Sequence, residues 1–324
     1  DAASRVHTML LFLEKADRFH GMWPHWLDGR TGRTIPFFKE DDGGDLVETA
    51  FLVQGLLTVR RFFTGDDPVE TDIRNVATRL WEDVEWDWHW RGGATGRLTW
   101  HWSPTFGWKI NHQVGGFNEC LVAYVLAVAS PTHAVPAEAY RSGWAGPGYA
   151  HERAFYGQRQ WVGPDLGGPL FFTHYSFLGL DPRGWHDGYC NYFENNRGIA
   201  LMHQAYCAAN PGRFRDYSAL VWGLSASDNP WGYAAQAPGS GDNGTITPTA
   251  ALSSMPYAPD AATATLLHFY RAYGPRLWGE FGFRDAFNPQ VDWYADSYIG
   301  IDQGPIAVMI ENHRTQLCWN LFDG

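Results

Sequence analysis

Five carboxylates, Glu40, Asp41, Asp42, Asp45 and Glu48, crowd around two glycines in KEDDGGDLVETAF, immediately ahead of an apolar run. With about 100° of turn per residue, Asp41, Asp45 and Glu48 share one face of a helix, because positions i, i+4 and i+7 align. Capping explains part of this charge: Asp42 as N-cap and Asp45 in the first turn would meet orphan N–H groups and the positive end of the helix dipole. It does not explain Glu48, which carries the acidic stripe into a helix apolar enough to be buried. Glu119 in GGFNEC is a second such acid, expected one turn into another apolar helix. A carboxylate there is rare unless it is paired or set at a cavity.

Carboxylates gathered in an aromatic-rich cavity suit cleavage of a glycosidic bond. One protonated acid donates to the leaving oxygen, and one carboxylate activates water or attacks the sugar. Burial and like-charge crowding raise the pKa of one member so that it keeps a proton near neutral pH. Other chemistries lack their motifs: there is no G-x-S-x-G elbow, no P-loop and no G-x-G-x-x-G. Histidines such as His89 and His101 lack H-E-x-x-H spacing, and DDGGD lacks the spacing of an EF-hand loop, so neither a metal nor a cofactor is expected.

These acids need helices to position them. Helical apolar spacing covers Ala3 to Phe19, Asp45 to Phe63, Val69 to Trp86, Gly116 to Ser130, Gly188 to Asn210, Phe214 to Leu224, Asp260 to Tyr273 and Pro305 to Trp319. Strand-like pieces are short and sit near turns, as in MWPHWLDGRTGRTIPFF with its turn at Asp28-Gly29, and RLTWHW after Gly92-Gly93. Helices apolar all round alternate roughly with helices that have one polar face. That alternation predicts an all-α chain, an (α/α) barrel with β-hairpin decorations, whose inner-helix starts gather polar residues at one end. Asp187, Asp242, Asp302 and Gln303 stand at such starts, with Glu311 and Arg314 deeper in the last helix. No linker divides residues 1–324, so a single domain is expected.

Composition narrows the ligand. The net charge of −11, with Lys15, Lys39 and Lys109 the only lysines, disfavours nucleic acid. Aromatic residues make up 16% of the chain, with 17 Trp clustered in stretches such as WEDVEWDWHW and LTWHWSPTFGW. Together these clusters suit the CH faces of sugar rings, although any one Trp is as readily a core residue. No apolar run predicts a membrane span or a signal peptide. The four cysteines lie in apolar segments and are expected as buried free thiols.

Six blocks in order, DDGGDLVETAFLVQGLL, LTWHWSP, GGFNECLVAYVLAVASPTH, WGLSASDNPWGY, DNGTITPTAALSSMPY and DQGPIAVMIENHRT, resemble the glycoamylase-like family, which includes the bacterial endo-β-1,2-glucanases of glycoside hydrolase family 144. The resemblance runs from about Val6 to the C-terminus. It implies an (α/α)6 barrel and endo-acting, inverting hydrolysis of β-1,2-glucan to sophorose and short oligosaccharides, in the periplasm or outside the cell. Carried onto this chain, the family's acidic blocks fall on Asp41, Asp45, Glu48 and Glu119. Either Glu119 or Glu48 is then the general acid, and Asp302 the base, reaching water through a substrate hydroxyl. The expected substrate contacts are Trp23, His101, Trp102, Trp108, Asn118, Trp231, Tyr233, Tyr257 and Arg314.

Two alternatives stay within β-1,2-glucan chemistry: a retaining transglycosylase and an exo-acting, sophorose-releasing hydrolase. Carboxyl separation, roughly 5 to 5.5 Å for retention and 6.5 to 9.5 Å for inversion, decides the stereochemistry. A polysaccharide lyase would instead want a cationic groove with a Tyr or His base. A non-catalytic sugar-binding protein has little use for an acidic stripe, because burying unpaired carboxylates is costly.

Overall fold

The structure is a computed structural model that describes residues 1–323. It separates into two compact units, one of residues 1–147 joined by the residues from Asn320 onward, the other Gly148–Trp319. Both are built of helices tied together by short antiparallel strand pairs and long, hydrogen-bonded loops.

In the first unit, helices α1 (Ala2–Lys15), α2 (Leu46–Phe62) and α3 (Pro68–Glu82) pack as a layer, with α3 against both of the others. Helix α3 starts on Asp67, whose side chain accepts from the Val69 and Glu70 amides, and has Pro68 where a missing N–H costs nothing. It buries Ile73, Val76, Ala77 and Leu80, an i, i+3, i+4, i+7 stripe, and leaves its charges outside. Helix α2 buries Leu46, Val47, Ala50, Val53, Leu56 and Leu57, and each such aliphatic side chain larger than Ala contributes about 1.5–3 kcal/mol. After a short helix α4 (Trp86–Trp90), helix α5 (Leu121–Ala129) is buried on nearly every side and packs on α2.

Three strand pairs hold the loops of this unit. Strands β1 (Trp26–Leu27) and β2 (Thr34–Ile35) form the expected hairpin, its turn tied by the Asp28 carboxylate to the Arg30 and Thr31 amides. Strand β3 (Gly44–Asp45) leads into α2, β4 (Leu98–Thr99) and β5 (His101–Trp102) follow α4, and β6 (Gln113–Val114) precedes α5. Strand β3 pairs with β5, and β4 with β6.

The second unit opens on the hairpin of β7 (Ala150–Phe155) and β8 (Gln158–Val162), packed on helix α6 (Tyr192–Ala209). Helices α7 (Pro248–Leu252), α8 (Pro259–His268), α9 (Gly274–Leu277) and α10 (Gly300–Thr315) follow, with α7 against both α8 and α10.

Three expected helices differ. Phe214 to Leu224 is not helical: Arg213 and Asp216 take left-handed φ values of 55° and 67°, and Ser218 bridges to Val221. Its apolar residues Tyr217, Val221, Trp222 and Leu224 are buried all the same, which is why their spacing imitated a helix. The segment from Gly116 becomes helical only at Leu121, so Glu119 precedes the helix rather than lying one turn inside it. The last helix breaks at Gln316, left-handed at φ 63°, before a separate short helix, α11 (Leu317–Asp323). All four cysteines are free, and Cys120, Cys190 and Cys207 are buried.

Candidate active site

Asp45 is the N-cap of α2, fully buried with an extended backbone. Its Oδ1 accepts from the Val47 and Glu48 amides at 2.9 and 3.0 Å and from Trp100 Nε1 at 2.9 Å. Its Oδ2 faces two imidazoles, His25 Nδ1 at 2.9 Å and His101 Nε2 at 3.4 Å. The ladder that pairs Asp45 with His101 supplies the second of these, and the β1–β2 hairpin carries His25 in beside it. Burial by itself would raise the Asp45 carboxyl, but the hydrogen bonds and charges of His101 and His25 outweigh it and hold the group well below the usual carboxylate range.

The cap was expected at Asp42, which does another job. Its carboxylate takes the hydroxyls of Ser103 and Thr105, fixing the loop after β5 against the start of α2. Gly43 permits that approach, because a Cβ there would collide with the Trp102 carbonyl oxygen.

Asp41 is buried beside Asp45, with Oδ2 3.4 Å from His101 Nε2 and 4.0 Å from His25 Nδ1. Burial raises its pKa, with the Asp45 charge adding to the effect and the imidazoles opposing it. Glu48 is half-buried one turn into α2, where burial and then the Asp45 charge push it up to about 8. Glu119, also half-buried, is pushed up to about 7 by burial, and its charge acts on Glu48. Burial alone would lower His25, but the hydrogen bond and charge of Asp45 keep it above its ordinary value. The expected set Asp41, Asp45, Glu48 and Glu119 is therefore assembled, with Asp45 firmly ionised and Glu48 and Glu119 raised to about 8 and 7. Environments that push neighbouring carboxyls apart in this way supply an acid and a base from one residue type.

His25 and Trp100 complete this centre and were not among the expected residues. Neither carries a local signal, since each acquires its role through a contact at least 20 positions away. The four atoms His25 Nδ1, Asp41 Oδ2, Asp45 Oδ2 and His101 Nε2 lie within 4.8 Å of one another, a donor set that a divalent ion could use. In the structure the two imidazoles already answer the two carboxylates.

Aromatic rings surround the acids. Phe37 stacks on His25 at 4.2 Å, with the exposed Trp26 edge-on to Phe37. Trp102 meets His20 and Trp88 edge-on, and Trp108 lies against Trp88 and His89. The Asn118 side chain accepts from the Cys120 amide, shaping the turn that carries Glu119. Trp23 is a core residue instead of a cleft residue, 2% exposed, with its indole N–H on the Leu13 carbonyl.

In the second unit Tyr257 is likewise core, 1% exposed, donating to the Thr173 carbonyl and accepting from Asn196. Trp231 and Tyr233 are exposed. Arg314 pairs with Glu311 near the C-terminal end of α10, about 18 Å of helix away from Asp302 at 1.5 Å per residue, so it does not share that helix start. Asp187 and Asp242 are engaged by tyrosine hydroxyls, Tyr192 on the first and Tyr206 and Tyr217 on the second. Asp302 is fully buried in the first turn of α10, where Tyr175 donates to Oδ1 at 2.8 Å. Burial, then the charge of Asp285, pushes it up to about 8. Asp285 and Asp228, both unanticipated, lie with it: the Asp228 amide and Gln303 Nε2 donate to Asp285 at 2.7 and 3.1 Å, and Ser297 donates to Asp228.

The Glycoamylase family model, described as "Putative glucoamylase", matches residues 111–324. The exo β-1,2-glucooligosaccharide sophorohydrolase (non-reducing end) of Parabacteroides distasonis is 48% identical over 342 residues, covering 99% of this chain and 47% of that protein. The chain thus spans about half the length of that relative. Among solved structures, the endo-β-1,2-glucanase of Chitinophaga pinensis in complex with sophorotriose and glucose is 46% identical, with a TM-score of 0.95 over 99% of this chain and 78% of that one. A β-1,2-glucanase from Parabacteroides distasonis is also 46% identical, with a TM-score of 0.96 over 99% of this chain and 49% of that one.

Proposed function

The chain belongs to the glycoamylase family, and from that premise we propose that it is a glycoside hydrolase that cleaves β-1,2-linked glucan. The observation that carries this reading is the split between Asp45, held ionised by two imidazoles, and Glu48 and Glu119, raised to about 8 and 7. Glu48 or Glu119 is the proton donor to the leaving oxygen. Asp302 is the base, acting through a substrate hydroxyl on the attacking water, and the reaction inverts the anomeric carbon. Asp41, Asp45 and the two histidines orient the donor.

We take the action as endo, releasing sophorose and short oligosaccharides, in line with the function named for the Chitinophaga pinensis enzyme. Exo release of sophorose is the second reading, favoured by the relative that is 48% identical. Near-complete superposition on two β-1,2-glucanases supports a single (α/α)6-barrel domain, residues 1–324. A periplasmic or secreted location fits this substrate. Incubation with linear β-1,2-glucan, with product length and the first-formed anomer followed by NMR, tests the whole reading. Endo inversion gives mixed lengths early and the α-anomer first; sophorose alone from the outset makes the enzyme exo-acting, a β-anomer first makes it retaining, and no new reducing ends overturn the assignment.

A further inference from the structure

The second acid cluster holds a buried oxygen without a donor. Asp302 Oδ1 accepts from Tyr175, but Oδ2, equally buried, receives no hydrogen bond. Its neighbour Asp285 accepts one donor on each oxygen, Gln303 Nε2 on Oδ1 and the Asp228 amide on Oδ2, which leaves room for one more. The two carboxyls lie close enough to act on one another as like charges. One proton between them relieves that repulsion, and the buried oxygen without a donor, Asp302 Oδ2, is placed to carry it.

The surroundings leave no other way to relieve the charge. Among the described residues no ion pair includes Asp228, Asp285 or Asp302, and Arg284 gives its Nη1 to Asp296 and the Ala295 carbonyl. Helix α7, packed on α10, contributes no titratable side chain. Just before the helical turn Ser176–Leu178, also packed on α10, Tyr175 donates to Asp302, and His174 is turned to the Ser254 hydroxyl. The third acid, Asp228, is held by Ser297 and adds a like charge to both partners.

We propose that Asp285 and Asp302 act as one pair sharing a single proton at neutral pH, with Asp285 the positioning residue that keeps this proton on Asp302. The inference rests on the reading of Asp302 as the base and explains how so buried an acid performs that role. A lone Asp302 raised to about 8 would be protonated at pH 7 and unable to accept a proton. The pair is still a mono-anion there, because its other member, Asp285, is raised only to about 6. Asp302 takes one proton from the substrate hydroxyl as the proton it already held passes to Asp285, and the pair becomes neutral. The hydroxyl oxygen recovers a proton from water, whose oxygen bonds the anomeric carbon as the leaving oxygen departs with the proton of the acid.

Carboxyl NMR of the protein carrying 13C-labelled aspartate tests this without substrate. Wild type is expected to show one member of the pair protonated at pH 7, with two linked steps near 6 and 8. Asp285→Asn removes the like charge, and the remaining Asp302 step moves down by about one pH unit or more. In the same variant kcat falls at least about tenfold with KM within about threefold, and Asp285→Glu restores the linked steps. Both carboxyls ionised at pH 7 in wild type, or an Asp302 step unmoved in Asp285→Asn, would overturn the pair. Normal glucan hydrolysis by Asp302→Asn, with the linked steps present in wild type, would sink the base assignment and leave the proton-sharing pair standing.

Discussion

Asp45 Oδ2 accepts from His25 Nδ1 at 2.9 Å while the opposite oxygen of the same carboxylate caps the helix that carries Glu48. One side chain thus sets both the backbone direction at the centre and its charge. The two roles separate by substitution. Asp45→Asn keeps an oxygen for the Val47 and Glu48 amides but removes the negative charge facing His25 and His101. Its stability in urea should fall by about 1–2 kcal/mol, and Asp45→Ala, which loses the cap too, by about 1 kcal/mol more. Glucan turnover should drop more than about tenfold in both variants. An asparagine variant with near-normal turnover would reduce Asp45 to a cap.

The proton donor can be identified from the basic limb of kcat/KM against pH. A group that must be protonated to act loses activity as pH rises through its pKa, so the limb falls near pH 8 if Glu48 is the donor and near 7 if it is Glu119. Glu48→Gln and Glu119→Gln then distinguish the donor from its neighbour. The donor variant should recover on an aryl glucan oligosaccharide whose leaving group needs no protonation, whereas the other should stay equally impaired on both substrates. Recovery in neither removes the acid role from both residues.

What could be read in advance followed local order. Helices α2 and α3 announce themselves through caps and apolar spacing, whereas Asp41, Asp45 and Glu48 come together without forming the expected helical stripe, because α2 begins only at Leu46, with Asp45 as its N-cap and Asp41 in the loop before it. Asp42 and Asp45 are ambiguous as caps because both precede the same apolar run, and the β3–β5 ladder, which pairs Asp45 with the distant His101, decides between them. His25, Trp100, Asp228 and Asp285 sit in loops or strand ends and gain their roles only from distant partners. Trp23 and Tyr257 failed as substrate contacts for a related reason: an aromatic residue near a functional segment packs inward or outward according to neighbours that spacing does not reveal.

Stability should fall as the medium turns alkaline. Glu48, Glu119 and Asp302 are raised to about 8, 7 and 8, above ordinary values of 4.5, 4.5 and 3.8, so the folded chain holds more protons than the unfolded one between those limits. The sign is therefore a loss of stability as pH rises from about 4 to about 8, at up to about 1.4 kcal/mol per pH unit for each group in its window. His25, also raised, adds to the loss above its unfolded value of 6.5. Asp45 acts oppositely: lowered in the fold, it contributes fully above 3.8 and gives way only in stronger acid. Thermal melts should therefore peak near pH 4 and fall from there towards pH 8, and Glu48→Gln should melt above wild type at pH 8. A melting temperature flat from pH 5 to 8 would contradict the protonated state assigned to these acids.

Trp23 and Trp231 should respond oppositely to truncation. Trp23 is 2% exposed, its ring under the Arg18 guanidinium and its N–H bonded to Leu13, so Trp23→Ala opens a core cavity and should cost about 3–5 kcal/mol in urea unfolding. Trp231 is 66% exposed, and Trp231→Ala should change stability by no more than about 0.5 kcal/mol. If its ring meets sugar, as the sequence leads one to expect, the same variant raises KM for long glucan severalfold while kcat changes little, because a uniform binding contact is lost without disturbing the transition state. Unchanged KM across chain lengths would remove Trp231 from the substrate contacts, and a stable Trp23→Ala protein with a raised KM would return Trp23 to them.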